Sequence, residues 1–311
     1  MTATASFRSI TCRVLLLAAL VAVDARAADG EFEQQLAVAG PIALDVDTGS
    51  GSIEVRSGPE GQVTVRGEIR VGRRFFGWKP KNADEIVEQV KAEPPVELEG
   101  NRLRVGYIRD RSIRKQVSIS FEIIVPVGTE VRAESGSGSV SVTDIAARVS
   151  AETGSGSVRL DNIGGPVDAE TGSGSIRADG VAGAFNGSTG SGSIYLLQTA
   201  PGDVVTSTGS GSSELKGVAG SLQASAGSGR ITVDGRIEGD WRIMTGSGSV
   251  RVTLPPDAAF ELEAESSSGS IDLGHPVTVG GKLSKNRISG LVRGGGPLLY
   301  IDTSSGSITV R

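Results

Sequence analysis

The sequence predicts an all-β fold, a single-stranded β-solenoid (a β-helix or β-roll) with coils of about 18 residues and a small N-terminal insert carrying one short helix. Three observations predict it. A hexapeptide of the form [TSA]-[GS]-S-G-[SR]-[IVS] recurs along the chain, and from Ser135 to Thr245 its copies are spaced 18, 18, 18, 19, 18 and 19 residues apart. So short and constant a period means stacked coils rather than separate domains. Within a unit, apolar and polar residues alternate, as a strand with one buried face requires. Composition agrees: of 311 residues 45 are Gly and only 4% are aromatic, too few bulky rings for an ordinary globular core but enough for a narrow one.

One unit, TGSGSVRLDNIGGPVDAE from Thr153 to Glu170, shows the elements in order. Val158 and Leu160 alternate with Ser157 and Arg159 in a first strand, and Asp161-Asn162 and Gly164-Gly165-Pro166 carry turn chemistry. Val167 to Ala169 forms a second strand. The same strand in successive coils pairs in parallel at ~4.8 Å, so about nine or ten coils make a rod roughly 45 Å long. Gly154 and Gly156 share the parity of Val158 and Leu160. They are expected either to face inward, where the walls come close, or to hold a positive φ at a corner. Thr153, Ser155 and Ser157 share the other parity, and with their equivalents would form an outward grid of hydroxyls. Such a grid could bind a glycan or ice, but local satisfaction of hydroxyl and backbone is the favoured reading.

Residues 1–27 read as a signal peptide. Arg8 and Arg13 accompany an apolar run, Val14 to Val23, and Ala25-Arg26-Ala27 supplies the cleavage site. Ten apolar residues are too short to span ~30 Å of hydrocarbon. Cleavage would remove Cys12, leaving a chain without cysteine, and shift the net charge from −5 to −7. No later stretch approaches a transmembrane segment, so a periplasmic, extracellular or cell-surface product is expected.

Residues 28–134 are expected to hold the first coil and a capping insert, and residues 135–311 the regular array. The insert contains a helix over 82–92, where Asp84 and Glu85 open the segment and Ile86, Val87 and Val90 form one stripe. The strands Arg102 to Tyr107 and Val117 to Val125 follow it. Residues 272–302 form a longer coil with an excursion rich in Gly and Lys/Arg. The last repeat, Ile308 to Arg311, is expected to be either a short self-sufficient edge or a docking edge.

Order and motif together resemble a known family. VSISFEIIVPVGTEVRAESGSGSVSV, Val117 to Val142, is similar to the alternating strand, V-P and first S-G-x-[IV]-x-V repeat of the bacterial DUF4097 family of adhesin type. The short helix before the strand and the repeats up to Val310 fit as well. The resemblance implies a β-solenoid at the cell envelope, with members at envelope-stress or regulatory loci. It brings no catalytic residues.

Enzymatic chemistry finds little support. One His and one Cys exclude most His- or Cys-based metal sites and triads. A calcium roll needs an Asp where these repeats place Ile, Val or Ser, so no metal and no cofactor is expected. Glu134, Glu152 and Glu170 occupy one phase of three coils and should stack as a solvated column. General acid/base work needs carboxylates in different environments. Arg159 and Arg177 form a similar column. His275, before Pro276, has no evident nucleophile. A β-helix carbohydrate-active enzyme is the remote alternative.

Two basic clusters stand outside the repeat: Arg73, Arg74, Phe75, Phe76, Trp78 and Lys79, and then Arg109, Arg111, Arg114 and Lys115. Residues 66–115 carry thirteen Lys/Arg against eight Asp/Glu, in a chain that is otherwise acidic. For an exported chain, nucleic acid is not the expected partner. Anionic lipid or lipopolysaccharide phosphates, a glycan or an acidic envelope protein are. The aromatics fit contact with a partner or anchoring of the cap equally. The expected function is thus a non-enzymatic envelope protein that binds through residues 73–115, with a self-assembling scaffold, joined end to end, as the alternative.

Overall fold

The computed structural model describes residues 29–72, 82–279 and 284–311. The signal-peptide assignment and Arg73, Arg74, Phe75, Phe76, Trp78 and Lys79 lie outside the described residues.

The repeat builds two parallel ladders. The first stacks strands such as Val149–Thr153, Val167–Thr171 and Phe185–Thr189, with Val149 opposite Val167 and Val167 opposite Phe185. The second stacks Val140–Ile145, Val158–Ile163 and Ile176–Val181, with Val158 between Val140 and Ile176. Exact register follows from the period: an 18-residue step puts each apolar side chain over its equivalent, and a slip by one would turn every one of them to solvent. Val140, Val142, Val158, Leu160, Ile163 and Val181 are all fully or almost fully buried. The interior is thin, and its few rings need local room: Gly187 leaves space for the Phe185 ring, since a Cβ there would come within 2.6 Å of it.

The corners explain the hexapeptide. Thr153 does not point outward as its parity predicts; it is 2% exposed. Its hydroxyl donates to Gly138 O of the preceding coil (2.7 Å) and accepts from Gly156 N–H (3.1 Å). Thr171 and Thr189 repeat the arrangement on Gly156 O and Gly174 O. Each threonine thus closes its own corner and staples it to the coil before. Ser155 and Ser157 remain exposed. Gly154 and Gly156 do not face the interior and hold no positive φ. They lie where one coil's backbone crosses the next, and a Cβ on Gly156 would sit 2.0 Å from Gly138 O. At the other corner, Asp144, Asn162 and Gly180 adopt φ of 58°, 57° and 77°, the left-handed turn their residue types tolerate.

Replacing Thr171 by Val is expected to cost about 1–3 kcal/mol, because the shape is kept while a partly buried carbonyl and an N–H lose their partner. Ala226 occupies the threonine position in a coil whose neighbours carry Thr208 and Thr245. Ala226→Thr therefore supplies a donor for Gly211 O and should add roughly 0.5–1.5 kcal/mol. Thermal unfolding of the two variants checks both signs.

Neither end is threaded in sequence order. Arg102–Val105 pairs outside Ala43–Thr48, and Val117–Pro126 pairs outside Ile53–Gly58. The insert thus supplies a whole outer coil, and the first repeat lies inside it, against Glu130–Ser135 and Val140–Ile145. Gln62–Val71 and Gly30–Ala37 then extend the second ladder antiparallel. The helix Ala83–Ala92 packs on that pair through buried Ala83, Ile86, Val87 and Val90. The single predicted helix is joined by another turn, Arg111–Arg114, hidden from periodicity by its four-residue length.

The other end mirrors this arrangement. Leu298–Ser305 inserts between Ile231–Ser247 and Phe260–Ser268, and Ile308–Val310 between Val250–Thr253 and Ile271–Leu273. The final repeat is therefore an interior coil, not the edge that its sequence position implies. The excursion forms antiparallel strands, Val277–Val279 and Arg287–Val292, beside Phe260–Ser268. With the outer coils counted, the first ladder holds eleven parallel rungs, above the nine or ten expected. Among the described residues the outermost strands are Val96–Glu99 and Gly30–Ala37 at one end, and Ile271–Leu273 and Val277–Val279 at the other. These are short or carry glutamates, features that discourage edge-to-edge pairing.

Candidate functional site

The described part of the basic region is a compact surface on the N-terminal outer coil. Asp110 starts it, its carboxylate accepting from Ser112 N–H (2.7 Å), Ser112 O–H (2.6 Å) and Ile113 N–H (3.4 Å). The Ser112 hydrogen bonds hold the Asp110 carboxyl below the usual carboxylate range although it is exposed. The cap fixes the turn Arg111–Arg114, and buried Ile113 pins it beside Val117–Pro126. Arg111, Arg114 and Lys115 consequently project to solvent, and none takes part in an ion pair among the described residues. Arg109 is 88% exposed and pairs with Glu97 at 2.7 Å.

Gly72 N–H donates to Gln116 O at 2.7 Å, which seats the end of the strand Gln62–Val71 beside Lys115.

Acidic groups flank this surface. Asp47, Glu134, Glu152 and Glu170 stack in register, so the expected glutamate column exists and gains Asp47 as a further member. Burial pushes the Asp47 carboxyl up, and Glu134 adds to the rise while Arg114 opposes it. Next to the column, Tyr107 O–H donates to Asp45 Oδ1 at 3.2 Å; burial and then that charge raise the phenol. A cleft of about 320 Å³ separates the helix Ala83–Ala92 from this loop, lined among others by Val90, Pro94, Pro95, Ile108 and Arg109. Sequence reasoning missed Asp110 and the Tyr107–Asp45 contact. The Asp-x-Ser capping pattern could have signalled the first; the second required the register of a strand sixty residues away.

The other sequence candidates have local roles. Arg159 and Arg177 stack as predicted, pairing with Asp161 (3.3 Å) and Asp179 (2.7 Å) along their own strands. Arg177 also covers the Tyr195 ring at 4.2 Å. His275 is buried edge-on to Phe260, ring centres 5.7 Å apart, and its Nε2 has no hydrogen-bond partner. Among the described residues no three His, Cys, Asp or Glu side chains gather to hold a metal ion. Nor is any described helix long and apolar enough to cross a membrane.

These features define a parallel β-solenoid with antiparallel caps and a charged surface on its N-terminal coil. The family model described as Toastrack DUF4097 matches residues 43–311, and the chain belongs to that family. Three solved structures are similar to it at low identity. One, described as a "putative adhesin" from Bacteroides fragilis, is 13% identical, covering 90% of this chain and 97% of that one at a TM-score of 0.41. A "putative lipid binding protein" from Parabacteroides distasonis is 12% identical over 91% and 97%, at 0.44. A "putative cell adhesion protein" from Clostridium sporogenes is 11% identical over 90% and 98%, at 0.22. No curated protein matches the chain.

Proposed function

We propose that this protein is an exported, non-enzymatic envelope protein, an adhesin-like module that binds an anionic envelope component through its N-terminal coil. One observation carries the reading: Arg109, Arg111, Arg114 and Lys115 are exposed on or beside one capped turn, and Arg111, Arg114 and Lys115 form no salt bridge among the described residues, although Arg114 is near enough to Asp47 to oppose the rise of its carboxyl. Exposed Arg148, Arg159 and Arg177 are paired with neighbouring acids, whereas Arg236, Arg242 and Arg251 form no salt bridge among the described residues; what sets the turn apart is that its four cations fall within residues 109–115. A cluster with more cations than salt-bridged acids projects a positive field from an otherwise acidic rod and draws anionic surfaces to one end of it. Membership of the family and the signal-peptide pattern of residues 1–27 support placement at the envelope.

The test is sedimentation of residues 28–311 with isolated envelope fractions and with anionic vesicles. Binding at low salt should fall steeply as the ionic strength approaches 1 M, where the screening length is about 3 Å. Changing Arg109, Arg111, Arg114 and Lys115 together to Glu should abolish it while leaving the melting curve in place. No sedimentation with any fraction, or binding indifferent to the reversal, would refute the proposal.

A further inference from the structure

A different polar surface lies toward the C-terminal coils. On the outer face of the first ladder, Val205, Gln223, Arg242 and Tyr300 follow one another on four successive rungs. Together with Ser221 and Asp240 they line a hollow of about 340 Å³. That volume is at the small end of ligand pockets, which run from ~300 to ~1,000 Å³, and suits one sugar-sized ring.

Arg242 is the centre of this hollow. Its guanidinium lies over the Tyr300 ring at 4.8 Å, which holds the planar fork in one orientation. The residue is exposed and makes no ion pair among the described residues. A stacked guanidinium with free donors is suited to a carboxylate gripped through two parallel N–H bonds. The surrounding groups ask for more than a bare anion. Asp240 Oδ1 accepts from Leu298 N–H at 2.9 Å, leaving its other oxygen free to accept from a hydroxyl. The exposed Gln223 amide, one rung away, offers both a donor and an acceptor. A neutral sugar would leave Arg242 unmatched, and a simple anion would meet the Asp240 charge with nothing to offset it.

We propose that this hollow binds an acidic sugar residue of the hexuronate type, its carboxylate on Arg242 and its ring hydroxyls on Asp240 and Gln223. The site is separate from the basic turn, so either can fail without the other. Neither periodicity nor motif reveals it, because Tyr300 reaches the Arg242 rung only through the out-of-order insertion of its strand.

Glucuronate, glucose, acetate and a short peptide with a free C-terminal carboxylate would be titrated into residues 28–311 and followed by NMR. Glucuronate should bind at least tenfold more tightly than the other three. Arg242→Gln should weaken it about tenfold, the scale of one charge-assisted bidentate contact. Arg242→Lys, which keeps the charge and loses the fork, should fall between. Gln223→Ala should weaken binding severalfold by an independent route, and Tyr300→Phe should preserve it, since the ring alone holds the guanidinium. Glucuronate binding no tighter than glucose, acetate or peptide would overturn the assignment, as would full affinity in Arg242→Gln.

Discussion

A protein lacking residues 298–311 is expected to lose its C-terminal coils altogether, not to become a rod one coil shorter. In a sequentially threaded solenoid the last repeat has a neighbour on one side only, and removing it exposes one new edge. Here Leu298–Ser305 and Ile308–Val310 have parallel partners on both sides, so their removal opens an empty slot inside the stack. Leu299, Ile301, Ile308 and Val310 are each 0% exposed. At about 1.5–3 kcal/mol for each buried side chain, the apolar loss is about 6–12 kcal/mol. That is comparable to the entire net stability of a typical domain. The outer strands Phe260–Ser268 and Ile271–Leu273 would then keep few contacts with the rest of the stack. Limited proteolysis should therefore cut the truncated chain throughout 254–297. A synthetic peptide of residues 296–311, added in trans, should refill the slot and restore protection. A truncated chain that melts within about 4 °C of the full one, a shift worth roughly 1 kcal/mol, would show that these strands do not hold the end together.

The second large effect concerns two glycines at equivalent positions of the hexapeptide. Gly136, like Gly49, is the second residue of its copy, and a Cβ there would lie 2.2 Å from Gly49 O. Backbone cannot swing aside as a side chain can, so Gly136→Ala must push two coils apart. The expected cost is about 3 kcal/mol, the upper part of the usual range for overpacking. Gly49 itself has nothing within 4 Å of its Cβ position and no left-handed φ. Gly49→Ala should stabilise by about 0.4–1 kcal/mol through the unfolded chain alone. Denaturant unfolding of the pair decides the matter, and equal effects would contradict the crossing of coils at this corner. The asymmetry arises because the coil outside Gly49 comes from the insert, which carries no hexapeptide.

Much of the architecture was legible in the chain itself. The 18-residue step specified parallel, in-register strands, and the alternation at Val158 and Leu160 specified which side is buried. The helix near 82–92 was visible in its acidic start and its Ile86-Val87-Val90 stripe. The glutamate and arginine columns followed from the same period. Parity failed at one place, the hexapeptide corner. Thr153 should face out by simple alternation, yet the chain turns there and carries the hydroxyl in over Gly138 O. Alternation describes a straight strand, and a corner resets its phase. Of the candidate surface, the basic residues were found by composition, but their availability was not, because pairing depends on which acids adjacent strands bring near.

Composition, period and turn chemistry were therefore enough to specify the coil, its buried face and its stacking, since each is a local property repeated at fixed intervals. Three things had to wait for the packed chain: the out-of-order coils at both ends, the absence of salt bridges to Arg111, Arg114 and Lys115 among the described residues, and the placing of Tyr300 beside Arg242. All three depend on contacts between segments that no period relates. A parallel ladder accepts any strand of suitable pattern into a given rung, and the choice among candidates is made by how the caps cover the ends of the stack.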